Sequence, residues 1–151
     1  MANSKPIAPR IVHVTESMGS GVLSLVDSIS RRQAEAGADV SVIYLVRTDT
    51  PDVATLRKRF DDRVTLTRIE AGSRFTDFRH LAQLLRNLFR KNEVDVVHLH
   101  SSYAGALGRA SLLGVKTKVR VFYSPHGFAF LRLDAAPPLR LAIRSVEQAL
   151  A

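Results

Sequence analysis

The 151-residue sequence contains no cysteine and no tryptophan. Without cysteine there are no disulfides, thiolate zinc sites or cysteine nucleophiles, and a reducing cytosol is a natural home. An apolar leader is also missing. Met1–Pro9 is short and polar, carries two prolines, and reads as a flexible N-terminal segment rather than a signal peptide. No stretch approaches the ~18 apolar residues of a membrane span, so a soluble or peripheral protein is expected. Internal repeats and low-complexity tracts are absent. Acidic residues are scarce: 14 stand against 22 Lys plus Arg, a net charge of +8 that suggests an anionic partner. Nucleic acid is a poor candidate for that partner. The positive charge is not interleaved with stacking aromatics, and no helix-turn-helix pattern occurs.

What is present is ordinary globular composition, 46% apolar and 24% charged, in a length that allows one domain with a full core. Strand and helix patterns alternate. Arg10–Thr15 is a β-rich run, followed by a glycine turn and a helix from about Val22 that Gly37 should stop in a left-handed conformation. Val40–Val46 is a second strand, Pro51–Phe60 a short helix, and Val64–Ile69 a period-two strand suited to a sheet edge. A long helix over Phe75–Lys91, a strand over Val94–Leu99 and a helix over Tyr103–Leu113 follow. Lys118–Tyr123 is a fifth strand, and Pro137-Pro138 opens a last helix. Repeated β/α units predict an α/β, Rossmann-like, doubly wound parallel sheet of about five strands with helices on both faces. The expected strand order is 3-2-1-4-5. Ligands of such sheets bind at the carboxyl ends of the strands where the order reverses, which nominates the loops after strands one, four and five.

The first loop is Glu16-Ser17-Met18-Gly19-Ser20-Gly21. Its glycines let a ligand approach the backbone, and amides at the following helix start attract phosphate. A plain glycine turn is the alternative. The second is His98-Leu99-His100-Ser101-Ser102-Tyr103, in which both histidines point to one face of a strand. With no third ligand near them in sequence, hydrogen bonding is expected and metal binding is not. Ser101 or Ser102 is also placed to cap the next helix. The third is Ser124-Pro125-His126-Gly127-Phe128, where Pro125 and Gly127 hold His126 in a constrained turn.

Together with Ile11–Ser17 and Asp95–Ser102, these loops resemble the N-terminal domain of family 4 retaining glycosyltransferases of GT-B architecture. The likeness runs from Arg10 onward and is strongest to bacterial enzymes of capsule, exopolysaccharide and O-antigen assembly. It implies that residues 10–151 form the acceptor-side domain of a hexosyltransferase-type enzyme, ending before a C-terminal donor domain in the same or a separate chain. The fragment alone is then expected to be inactive. The resemblance further implies a nucleotide-diphosphate sugar donor, a glycan or lipid-linked acceptor, no cofactor and no metal. Glu16, Gly19, Ser20, Gly21, His100, Ser101, Ser102, Tyr103, Gly127 and Phe128 would line the substrates, with His126 as the catalytic-site residue that orients the sugar. One departure stands out. Met18-Gly19-Ser20-Gly21 has fewer consecutive glycines than many relatives. The metal-binding Asp-x-Asp of another transferase fold finds only Glu93-Val94-Asp95, at the wrong strand end.

The helix over Phe75–Lys91 carries an apolar stripe, and Arg79, Arg86, Arg90 and Lys91 lie outside it. A basic amphipathic helix suits an anionic membrane surface, hence a cytoplasmic protein peripheral on the inner face of the plasma membrane. The competing expectation is that the stripe packs on the sheet and the arginines face water. Two other functions are open. Gly19-x-Gly21 with Arg47 as a 2′-phosphate reader would suit a nicotinamide-dependent oxidoreductase fragment, although Ser24 replaces the third glycine. A non-catalytic membrane-anchoring subunit of a two-chain transferase is the other.

Overall fold

Strands that are buried on both faces need helices above and below, and the apolar periodicity along this chain supplies them in strict alternation. A computed structural model describes residues 8–70, 72–126 and 137–149. The order is β1 (Arg10–Thr15), α1 (Ser20–Glu35), β2 (Asp39–Leu45), α2 (Val53–Arg59), β3 (Thr65–Ile69), α3 (Arg74–Lys91), β4 (Val96–His100), α4 (Ser102–Ser111), β5 (Arg120–Ser124) and α5 (Pro137–Ala149). The strands form one five-stranded sheet of order β3-β2-β1-β4-β5, and every described pairing is parallel. The expected fold class and strand order are both found. Helix α1 begins at Ser20 rather than Val22, because Gly19 takes the N-cap position. Gly37 stops it with φ of 90°, a conformation glycine adopts without a Cβ penalty.

Alternation along each strand sorts the core into two layers. On one face Val12, Val14, Ile43, Leu45, Val97 and Leu99 pack against Leu81, Leu85 and Phe89 of α3. The apolar stripe of α3 thus covers the sheet, as that competing expectation held. On the other face Val40, Val42 and Tyr44 of β2 meet Leu23 and Val26 of α1 and Leu56 of α2. The central strands break this rule. On the second face β1 presents His13 and Thr15, and β4 presents His98 and His100, polar groups where β2 has aliphatics.

Helix α4 lies close to the sheet through its glycines. A Cβ on Gly105 would stand 2.2 Å from the ring of Tyr123, which Arg109 covers from 4.4 Å. A ring so held has little room to yield. Gly105→Ala should therefore lower stability by roughly 1–3 kcal/mol, the usual cost of overpacking, measurable by urea denaturation. An unchanged midpoint would show that the α4 contact is soft.

Candidate functional site at the carboxyl edge of the sheet

The loops after β1, β4 and β5 emerge at one edge of the sheet, on either side of the point where strand order reverses. Parallel pairing sets His13 beside His98, Thr15 beside His100, and His100 beside Ser124. Four of the chain's five histidines come together there. His13 and His100 are fully buried. His13 Nδ1 lies 2.9 Å from His100 Nε2, and His100 Nδ1 lies 2.8 Å from His126 Nε2. At the far end Gln33 Oε1 of α1 meets His13 Nε2 at 2.6 Å. His98 stands beside this chain, its ring 4.0 Å from that of His100, and bonds Ser124 Oγ through Nε2 at 2.9 Å.

Burial keeps these imidazoles neutral. It pushes His98 down to about 4, with the neighbouring histidines adding to the shift. It also lowers His100, lowers His13 against the opposing bond from Gln33, and lowers His126.

Ring nitrogens of His13, His98 and His100 lie within 4.8 Å of one another, so the third nitrogen that the sequence did not place near the pair is supplied by β1. Three neutral imidazoles are a zinc-type donor set. The spacing, however, suits a direct hydrogen bond better. Two ligands at ~2.0–2.1 Å on one tetrahedral ion stand roughly 3.4 Å apart, and His13 Nδ1 and His100 Nε2 are at 2.9 Å.

Two residues at this edge hold backbone conformations that side chains disfavour. Ser101 has φ of 80° and His126 has φ of 55°. Such strain gathers at functional sites when the surroundings enforce it. Here Ser101 caps α4 through Ala104, takes the carbonyl of Ser124 with its amide, and points Oγ at Glu16 Oε2 over 3.4 Å. Glu16, Ser101, His100 and His126 are thus brought to one place. Ser102 Oγ is buried with no hydrogen-bond partner among the described residues. Tyr103 is 42% exposed and stacks on Phe78 at 4.8 Å. Gly127 and Phe128 lie outside the described residues.

In the first loop Gly19 is hemmed in: a Cβ there would fall 2.0 Å from Asp49 Oδ2. Its amide donates to Ser17 Oγ, which in turn donates to Asp49. Gly21 is the opposite case, exposed with nothing within 4 Å of a built Cβ. The N-cap of α1 is Gly19, which has no side chain with which to cap the first-turn amides. Arg47 has a different occupation from reading a phosphate. Its Nη1 is 2.9 Å from Asp77 Oδ2, whose carboxylate is 1% exposed and also accepts from Gly72 N.

On α3, Arg79, Arg90 and Lys91 are exposed, and Lys91 lies 3.8 Å from Glu93. Arg86 instead reaches the carbonyls of Ser111, the last residue of α4, and of Leu113 beyond it. No helix among the described residues is long and apolar enough to cross a membrane.

A family profile described as a glycosyl transferase 4-like domain matches residues 9–151. The chain belongs to the glycosyl transferase 4-like family. A Klebsiella pneumoniae protein described as an uncharacterized 41.2 kDa protein in the cps region is 25% identical over 124 residues, 80% of this chain and 32% of the relative. Among solved structures, a glycosyltransferase from Rickettsia africae superposes with a TM-score of 0.55 at 18% identity, over 80% of this chain and 30% of that one. The C-terminal domain of a Pyrococcus furiosus hydrogenase superposes with a TM-score of 0.53 at 14% identity, over 77% of this chain and 91% of that domain. At these identities the superpositions show the Rossmann-like fold alone. The chain spans about a third of the length of the curated relative and of the Rickettsia structure.

The sequence reading did not place His13, Gln33 or Asp49 at this edge, and it named Ser124 only as the start of the third loop. The available signal was the polar parity of β1, where His13 and Thr15 alternate with Val12 and Val14.

Proposed function

We propose that this chain is the acceptor-side domain of a transferase that moves a sugar from a nucleotide-diphosphate donor to a glycan or lipid-linked acceptor in cell-surface polysaccharide synthesis. The observation that carries the reading is the convergence of Glu16, Ser101, His100 and His126 at the switch-point edge, with Ser101 and His126 in disfavoured conformations. The amides at the start of α1, behind a glycine N-cap, suit the donor diphosphate, and backbone amides aimed at departing phosphate charge stabilise it without reorganising. His126 orients the sugar. The hexosyl type of the donor, the inactivity of the domain alone and the need for a donor-binding domain belong to this proposal. So do the cytoplasmic location, membrane docking through Arg79, Arg90 and Lys91, and the absence of a metal. The cps-region relative supports the polysaccharide setting. The Arg47–Asp77 pair weighs against the nicotinamide reading, because the guanidinium already has a buried carboxylate.

The test is a transfer assay with nucleotide-sugar donors and lipid-linked acceptors, run with a donor-binding domain in the same or a separate chain. Gly21→Ala is the informative control. A methyl group there meets nothing in the fold, and alanine favours helix, so stability should hold or rise by up to about 1 kcal/mol. If the donor phosphate approaches Gly21, displacing it should slow transfer on the order of 10²-fold. Full transfer by Gly21→Ala would remove the phosphate from this loop.

A further inference from the structure

The polar chain Gln33–His13–His100–His126 runs from the last turn of α1, beneath the sheet, to its carboxyl edge. Each of its links is a hydrogen bond of 2.9 Å or less. A neutral imidazole has one N–H and one lone pair, so the role of either nitrogen dictates the role of the other. Gln33 presents its carbonyl Oε1 to His13 Nε2, which must therefore donate. His13 Nδ1 is then a lone pair and accepts from His100 Nε2–H. His100 Nδ1 accepts in turn from His126 Nε2–H. His126 is left with its lone pair on Nδ1, in a side chain exposed at the edge.

We infer that Gln33 is a positioning residue that sets the tautomer of His126 through two buried imidazoles. The alternative pattern, every proton moved to Nδ1, requires Gln33 to turn its amide end for end and present its NH2 group, and would make His126 a donor at the edge. Burial supports the relay by keeping its links uncharged, since a doubly protonated ring would place two donors in one link. His98 is not a link. It lies beside the relay and bonds Ser124 instead. The functional consequence is selective. With Nδ1 as acceptor, His126 reads a hydroxyl donor rather than an anionic oxygen, and naming that hydroxyl a sugar's rests on the proposed transferase reading.

The experiment uses the whole chain with ¹⁵N-labelled histidine at about pH 8, where unshifted histidines are neutral. Long-range ¹H–¹⁵N correlation assigns the protonated nitrogen of each ring. His13, His100 and His126 should all carry the proton on Nε2. Gln33→Met removes the anchor and should turn His126 into a mixture of tautomers. Gln33→Lys offers only donors and should shift His126 toward Nδ1–H. Native His126 with its proton on Nδ1 would overturn the inference, as would an unchanged tautomer in both variants. A zinc ion retained stoichiometrically between His13 and His100 would also overturn it, because the ion takes the lone pairs that define the relay. None of these readouts needs donor, acceptor or turnover. Failure of transfer with responsive tautomers would sink the transferase reading and leave the relay standing.

Discussion

Acidification from about pH 7 to about pH 5 should cost this domain a large part of its stability. Folding buries His13 and His100 and half-buries His98 as neutral rings, and holds all three below the ordinary value of 6.5. The unfolded chain therefore binds more protons than the folded one once the pH drops under that value, and stability rises with pH across the range. The contribution is fully present above the unfolded value. It is lost as pH falls through 6.5 toward the folded values, about 4 for His98. A histidine that takes its proton only on unfolding costs up to about 2 kcal/mol over those two pH units. Three groups shifted in this direction therefore remove a sizeable share of the 5–15 kcal/mol that a domain typically possesses. Urea midpoints across that pH range measure the slope directly. His98→Phe, which removes one titrating ring beside Phe122, should make the slope shallower. A flat profile, or equal slopes in the native chain and His98→Phe, would mean that the histidines titrate freely in the fold and that water reaches the β1–β4 face.

That face explains why the fold was more legible than the site. Element type follows from local pattern: aliphatic runs at β1, β2 and β4, the stripe Leu81–Leu85–Phe89 on α3, and Gly37 where only a left-handed residue ends the helix. Strand order follows from alternation and handedness. Boundaries shifted by a residue or two where caps decide. β4 runs Val96–His100 rather than Val94–Leu99, and α2 runs Val53–Arg59, capped by Asp52, rather than Pro51–Phe60. The site depends on register, which no local pattern states. His98 and His100 were visible as a pair, but His13 joins them only because β1 pairs with β4 and sets His13 against His98. Gln33 enters because α1 returns across that strand. The same holds for Asp49 behind Gly19 and for Arg47 with Asp77, pairs 30 residues apart that carry no signature in either segment.

His126→Ala should reduce transfer by roughly 10²- to 10³-fold, the usual effect of losing one preorganised polar contact at a reacting centre. Stability should change little, because the side chain is exposed and replacing it removes one hydrogen bond, to His100, worth about 1 kcal/mol. His100→Ala supplies the contrast. That ring is fully buried between His13 and His126, so its loss should leave a cavity and an unpaired His13 Nδ1 and destabilise the fold as well. Comparing the two separates a group that meets substrate from one that supports it. The division of the effect between kcat and KM adds a second axis. A residue that orients the sugar only in the transition state lowers kcat with KM held, whereas one that binds donor uniformly raises KM alone. Because His126 is held at φ of 55° by its turn and by His100, its geometry is prepared before substrate arrives, and the loss should fall on kcat. His126→Asn, which tolerates the left-handed conformation and keeps an acceptor, should recover part of the rate. Unimpaired transfer by His126→Ala would leave the edge without its reading as a sugar site, whatever the imidazole relay does.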